Sequence, residues 1–171
     1  MLLTRSLITS LLWLSLARAE APPPLATALP DTMQAVVIDH YGGIEVLGPR
    51  TLPVPALAPD EVLIAVHTAG VGPWDADVRA GALPDAKTRF PLILGTDGSG
   101  TVAAIGTAVH TLHPGQSVYS YSWANPKGGF YAQYVAVIAT RVAPIPTNLT
   151  LRQAGAIATT GGRIVLVRDG T

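Results

Sequence analysis

Four histidines, two aspartates in close succession and one glycine-rich segment are the places where this chain of 171 residues could do chemistry. His110-x-x-His113 has a spacing that can bring two imidazoles to one metal. No carboxylate stands near it in sequence, and its turn-rich surroundings favour solvent-exposed turn residues. His67 lies in a β-branched run, where a hydrogen-bonded structural histidine is a plainer reading than a catalytic base. Asp75 and Asp77 could share acid and base work, or could solvate the start of a short helix. Gly98-Ser99-Gly100-Thr101-Val102-Ala103 has the G-x-G-x-x-A form of a dinucleotide-binding loop. Such a loop must open a helix whose N-terminus holds a pyrophosphate. Here the run ends at Gly106, and no Asp or Glu between Asp97 and Asp169 is placed to hold a ribose hydroxyl. The same glycines suit a strand at which two backbones approach closely. The phosphate-loop pattern and the G-x-S-x-G nucleophile elbow are both missing from the sequence.

These groups must be carried by short elements. Gln34 to Asp39 reads as a strand ended by His40-Tyr41-Gly42-Gly43, and Glu61 to Thr68 as a stronger one. Between them, Pro49, Pro53, Pro55 and Pro59 allow only edge strand or loop. Pro73 to Ala80 suits a short helix with proline in its first turn and Asp75 near the positive end of its dipole. Gly100 to Ile105, Gln116 to Tyr121 and Phe130 to Ile138 are further strands, and this spacing predicts a barrel or sandwich. Thr150-Leu-Arg-Gln153 is a capping box that opens a helix through about Ala158. Gly161-Gly162 stops it, and Arg163 to Val167 forms one more strand.

Composition narrows the class. A chain that is 49% hydrophobic and 13% charged has enough apolar surface for a core, and its length suits one domain with a short appendage. Zero cysteines exclude disulfides, thiol nucleophiles and cysteine-ligated metals. Zero net charge argues against a generally basic nucleic-acid binder. The first 19 residues have the form of a cleaved secretory signal: a basic start, an apolar run from Ser6 to Leu16 and Ala17-Arg18-Ala19. That run is too short to span a bilayer, which takes roughly 20 residues. The chain is therefore expected to be exported, periplasmic or secreted, and to carry a net charge of −2 once Arg5 and Arg18 are removed. Residues 20 to 32 read as a proline-rich extended linker.

The order of segments from Met33 to Gly161 resembles the catalytic, GroES-like domain of the medium-chain dehydrogenase/reductase superfamily, in its zinc-independent quinone oxidoreductase branch. Met33-Gln-Ala-Val-Val, Gly42-Gly43-Ile-Glu-Val-Leu47, Ala69-Gly-Val-Gly-Pro-Trp-Asp75 and Arg79-Ala-Gly81 carry the likeness. It continues through Phe90 to Gly100, Val102 to Val109, Gly115-Gln-Ser-Val-Tyr119 and Gly128 to Ala136. The resemblance implies a mainly β fold with short helices, a partly open barrel over residues 33 to 161 that shapes the substrate side of a cleft. It also implies NADPH held normally by a separate Rossmann domain. Zinc members carry a cysteine in the segment that reads Gly70 to Asp75 and a His-Glu pair in the one that reads Gly95-Thr96-Asp97. Gly72 and Thr96 cannot replace those ligands, so no zinc is expected.

The activity implied by the resemblance is NADPH-dependent reduction of quinones or enones, with a small apolar carbonyl compound as partner and no nucleic acid. Gly72, Pro73, Trp74 and Asp75 are the residues expected to line the cleft, with Tyr41, Tyr131 and Thr160 as further members and Trp74 available to stack on a flat ring. Only ten residues follow Gly161, and residues 162 to 171 resemble the family's last barrel strand. The expectation is a catalytic domain from which the Rossmann domain is missing, through excision or a frameshift, and which binds NADPH weakly and is inactive alone. An exported non-enzymatic binding module and a truncated remnant are the alternatives. An uncovered barrel face would promote self-association.

Overall fold

The structure is a computed structural model, and it describes residues 28–83 and 88–159. The expected leader, most of the linker, Thr160, the Gly161-Gly162 stop and the strand from Arg163 lie outside the described residues.

Strand β1 (Thr32–Ile38) buries Met33, Ala35 and Val37 on one face and turns Gln34 and Val36 outward, the period of two that a half-buried strand requires. It is flanked by β2 (Gly48–Pro53) and β4 (Leu92–Ile93) in a three-stranded antiparallel sheet. The proline-bearing β2 lies at the edge, where a missing N–H costs least. A five-stranded antiparallel sheet follows, in the order β7 (Tyr134–Ile138), β3 (Glu61–Ala69), β5 (Asp97–Ile105), β6 (Ser117–Tyr121) and β8 (Val142–Pro144). The sheets are joined where Ala35 bridges Ala132, the Val36 N–H donates to the Tyr131 carbonyl and the Gln133 N–H donates to the Gln34 carbonyl. The result is the curled, partly open barrel expected from the sequence. Its main core joins Val62 and Ile64 of β3 to Val102, Val118, Phe130, Val135 and Val137.

The glycine-rich segment belongs to this core. Gly98, Ser99 and Gly100 are extended within β5. A β-carbon on Gly98 would stand 2.1 Å from Cδ1 of Phe130, and one on Gly100 would stand 2.0 Å from the Ala65 carbonyl oxygen. The first glycine makes room for the largest fully buried side chain, and the second lets β3 approach.

Among the described residues two α-helices flank the sheets. Helix α1 (Pro73–Ala80) has proline at its start and ends at Gly81, whose φ of 78° needs a residue without a β-carbon. Helix α2 (Leu151–Gly155) opens on the expected box: Thr150 Oγ1 accepts from the Gln153 N–H at 3.3 Å, and Gln153 Oε1 accepts from the Thr150 N–H at 3.0 Å. It stops at Gly155, earlier than expected. Gly155 is a weak helix former, and its backbone is pressed against Thr68 and the Ser99 hydroxyl. The strand expected from Phe130 also starts later, at Tyr134. The backbones of Phe130 and Tyr131 are bonded to Gly95 and Leu94, and Gln133 crosses to β1. Among the described residues no helix is long and apolar enough to cross a membrane.

Candidate functional site

Helix α1 brings Asp75 to the interior. As the third residue of the helix, its carboxylate can reach back to an unpaired N–H of the first turn. Asp75 Oδ2 accepts from the Gly72 N–H at 2.8 Å and from the Tyr131 hydroxyl at 3.3 Å, while Oδ1 accepts from the Thr96 hydroxyl at 3.4 Å. Only 6% of Asp75 is exposed, so these donors replace the water it has lost. Asp77 lies on the exposed side of the same helix. The two aspartates therefore do not form an acid and base pair.

Burial, with the charge on Asp75 adding to it, pushes the Tyr131 hydroxyl up to about 12. Tyr131 stays protonated and keeps donating to Asp75 at ordinary pH. A second buried carboxylate, Asp97, stands at the start of β5 and accepts from the Thr159 hydroxyl. Desolvation raises its pKa above the usual 3.8, the Thr159 hydrogen bonds oppose the shift, and the charge on Asp75 adds to it.

A cavity of about 490 Å³ opens beside this group. Val78, Leu83, Leu92 and Ile93 give it aliphatic walls, and Asp75, Thr96 and Ser122 bring buried polar groups to it. Ser122 is fixed by bonds from its hydroxyl to the Gly95 carbonyl at 3.2 Å and from its N–H to the Thr96 carbonyl at 2.7 Å.

Of the residues expected at the cleft, Gly72, Trp74, Asp75 and Tyr131 are brought together around the start of α1, with Pro73 exposed at its first position. Asp75 is the one that also lines the cavity. Trp74 leans on Gly72, and its indole N–H is sealed from solvent without an acceptor among the described residues. Tyr41 sits at the other end of α1, against Gly81 and edge-on to Phe90 with ring centroids 5.1 Å apart. Eight helical residues, about 12 Å of rise, separate the two ends. Thr160 lies outside the described residues, and Thr159, on Asp97, is the neighbour that is seen.

Sequence reasoning did not single out Thr96, Ser122 or Trp123 as cleft residues, nor the pairing of Asp97 with Thr159. Thr96 is 21 residues from its partner Asp75, and Thr159 is 62 from Asp97, so no local spacing announces either pair. His67, His110 and His113 are exposed, and His113 Nδ1 lies 3.2 Å from the carbonyl of Pro114. Among the described residues no three His, Cys, Asp or Glu side chains converge as metal ligands would.

Comparison with known proteins gives this geometry a context. Residues 58–147 match the alcohol dehydrogenase GroES-like domain. The chain is 34% identical over 136 residues to the chloroplastic NADPH-dependent alkenal/one oxidoreductase of Arabidopsis thaliana, covering 76% of this chain and 35% of that protein. It is 32% identical over 126 residues to the quinone oxidoreductase of Mus musculus, covering 73% of this chain and 37% of that one. Among solved structures, the quinone oxidoreductase of Coxiella burnetii superposes with a TM-score of 0.68 at 29% identity, over 72% of this chain and 40% of the other. The Escherichia coli quinone oxidoreductase complexed with NADPH gives 0.65 at 25% identity, over 71% and 36%. The chain spans little more than a third of the length of these two relatives.

Proposed function

The chain belongs to the alcohol dehydrogenase GroES-like domain family of the medium-chain dehydrogenase/reductase superfamily, and from that premise we propose that its cleft binds a quinone or conjugated enone and orients it for reduction by NADPH. The observation that carries this reading is the cleft itself: a cavity of about 490 Å³ whose lining sets aliphatic Val78, Leu83, Leu92 and Ile93 beside Arg89, Asn125 and the bonded pair Asp75 and Thr96. A site of this kind suits a small apolar carbonyl compound. NADPH, when bound, would supply the hydride. The chain's own residues hold the acceptor and keep water away from it. Asp75 is the fixed point, locked by Gly72, Thr96 and Tyr131. Tyr131 retains its proton, so this carboxylate keeps a donor and does not have to find one from solvent.

A metal does not fit these residues. Gly72 offers no ligand atom, Thr96 is engaged with Asp75, and the Trp74 indole fills the space a side chain at residue 72 would need. The reading therefore takes no step through zinc. Gly98 to Gly100 form the interior of β5 and open no helix, so this segment offers no pyrophosphate site. NADPH binding by the described barrel is accordingly weak, and the isolated chain turns over slowly or not at all.

The test is a titration of the full chain with 2,3-dimethyl-1,4-naphthoquinone and, separately, NADPH, followed by tryptophan quenching, with NADPH oxidation measured in the mixture. Saturable quinone binding with weak NADPH binding is expected. Absence of quinone binding overturns the cleft reading; micromolar NADPH affinity with rapid turnover overturns the weak-cofactor part.

A further inference from the structure

Trp123 is a large aromatic residue that the fold holds firmly without burying. It lines the same cavity as Asp75 and Thr96 and leaves 41% of its surface exposed, although an indole gains strongly from burial. Its backbone is fixed from several directions. Arg141 Nη1 donates to the Trp123 carbonyl at 2.8 Å, the Arg141 carbonyl accepts from Ser120 Oγ at 2.8 Å, and the guanidinium lies 5.2 Å from the centre of the Tyr121 ring. Ser122, just before it, is buried and bonded to Gly95. Ala124, just after it, has a φ of 53°, a left-handed conformation that a residue with a β-carbon keeps only where its surroundings impose it. Asn125 then donates to the Ala136 carbonyl at 2.8 Å and accepts from the Lys127 N–H at 3.1 Å.

A loop tied down this thoroughly carries its indole as a platform. Among the described residues that line the cavity, Trp123 is the one aromatic side chain, and the others with large apolar groups are aliphatic. An indole face is electron-rich, and a quinone or other conjugated carbonyl ring is flat and electron-poor, so offset stacking between them is favourable. An open-chain enone offers little area to such a face.

We propose that Trp123 is a specificity-determining residue, stacking on ring-shaped conjugated carbonyl ligands and giving the cleft a preference for them over open-chain enones. The proposal rests on the reading of the cleft as a quinone or enone site. It differs from the expectation placed on Trp74, whose indole leans on Gly72 and does not line this cavity.

The experiment is equilibrium dialysis of the full-length protein and its Trp123→Ala and Trp123→Phe variants against 2,3-dimethyl-1,4-naphthoquinone and 4-hexen-3-one, with thermal unfolding as the check on folding. The exposed indole can be removed with little effect on the fold. Trp123→Ala is expected to bind the naphthoquinone about tenfold more weakly and the hexenone within about threefold of wild type, and Trp123→Phe to recover most of the loss. Equal weakening of both ligands, or no weakening of either, overturns the proposal and leaves the cleft reading standing. Failure of the wild-type protein to bind either ligand overturns both.

Discussion

The Trp74 indole lies against Gly72 so closely that a β-carbon at residue 72 would stand 2.3 Å from its Cε2, 2.4 Å from its Cζ2 and 2.7 Å from its Nε1. The two residues form one packing unit at the start of α1. Gly72→Ala is expected to cost about 2 kcal/mol through overpacking. The cost should largely vanish when Trp74 is also alanine, giving a coupling of roughly 1 kcal/mol or more in a double-mutant cycle. Urea unfolding of the four proteins measures it, and additive effects would show that the two residues do not compete for the same space.

Asp75 and Asp77 share a helix but have different tasks. Asp75→Ala removes the acceptor of the Gly72 N–H, the Thr96 hydroxyl and the Tyr131 hydroxyl, and is expected to cost about 2 kcal/mol, since one buried and two half-buried donors are left unpaired. Asp77→Ala, on the exposed side, should stay within about 0.5 kcal/mol of wild type. Chemical denaturation of both variants makes the comparison. Equal costs would contradict the assignment of Asp75 as the hub.

Asp97 makes a pH-dependent contribution whose sign follows from its raised pKa. Between the ordinary 3.8 and its higher value in the folded chain, the native state holds more protons than the unfolded state. Stability from this group therefore falls as pH rises through that window, and the penalty persists in full above it. The stability of Asp97→Asn relative to wild type should rise as pH increases through the same window. Urea midpoints for both proteins at a series of pH values check it; a constant difference, or one that shrinks with rising pH, would refute the prediction.

Parts of this arrangement are written locally in the sequence, and those parts were legible. Pro73 at a helix start with Asp75 in the first turn, the Thr150 and Gln153 box, and the proline-bearing edge strand all depend on neighbours within a few residues. The dinucleotide-like glycines were also interpretable, because a phosphate-binding loop needs a following helix and β5 has none. The meeting of Asp75 with Thr96 and Tyr131 depends on how α1 docks on the barrel. Composition and periodicity say nothing of that. Trp123 is hidden for the same reason: of its anchors Arg141, Ser122 and Asn125, the first stands 18 positions away in sequence. Tyr41, expected at the cleft from resemblance, packs against Gly81 and edge-on to Phe90 and is not among the described residues that line the cavity beside Asp75.

The central claim is that the cavity beside Asp75 is the ligand site, and a rival place exists. A second cavity of about 570 Å³ lies across the Leu92–Ile93 strand, lined by Met33, Leu52, Pro55 and Lys127 among others. Two-dimensional amide NMR of the full-length protein titrated with 2,3-dimethyl-1,4-naphthoquinone separates the two most directly. Saturable shifts centred on Asp75, Thr96, Ser122 and Trp123 are predicted. Shifts centred on Met33, Leu52 and Lys127, or no saturable shift at all, would contradict the account.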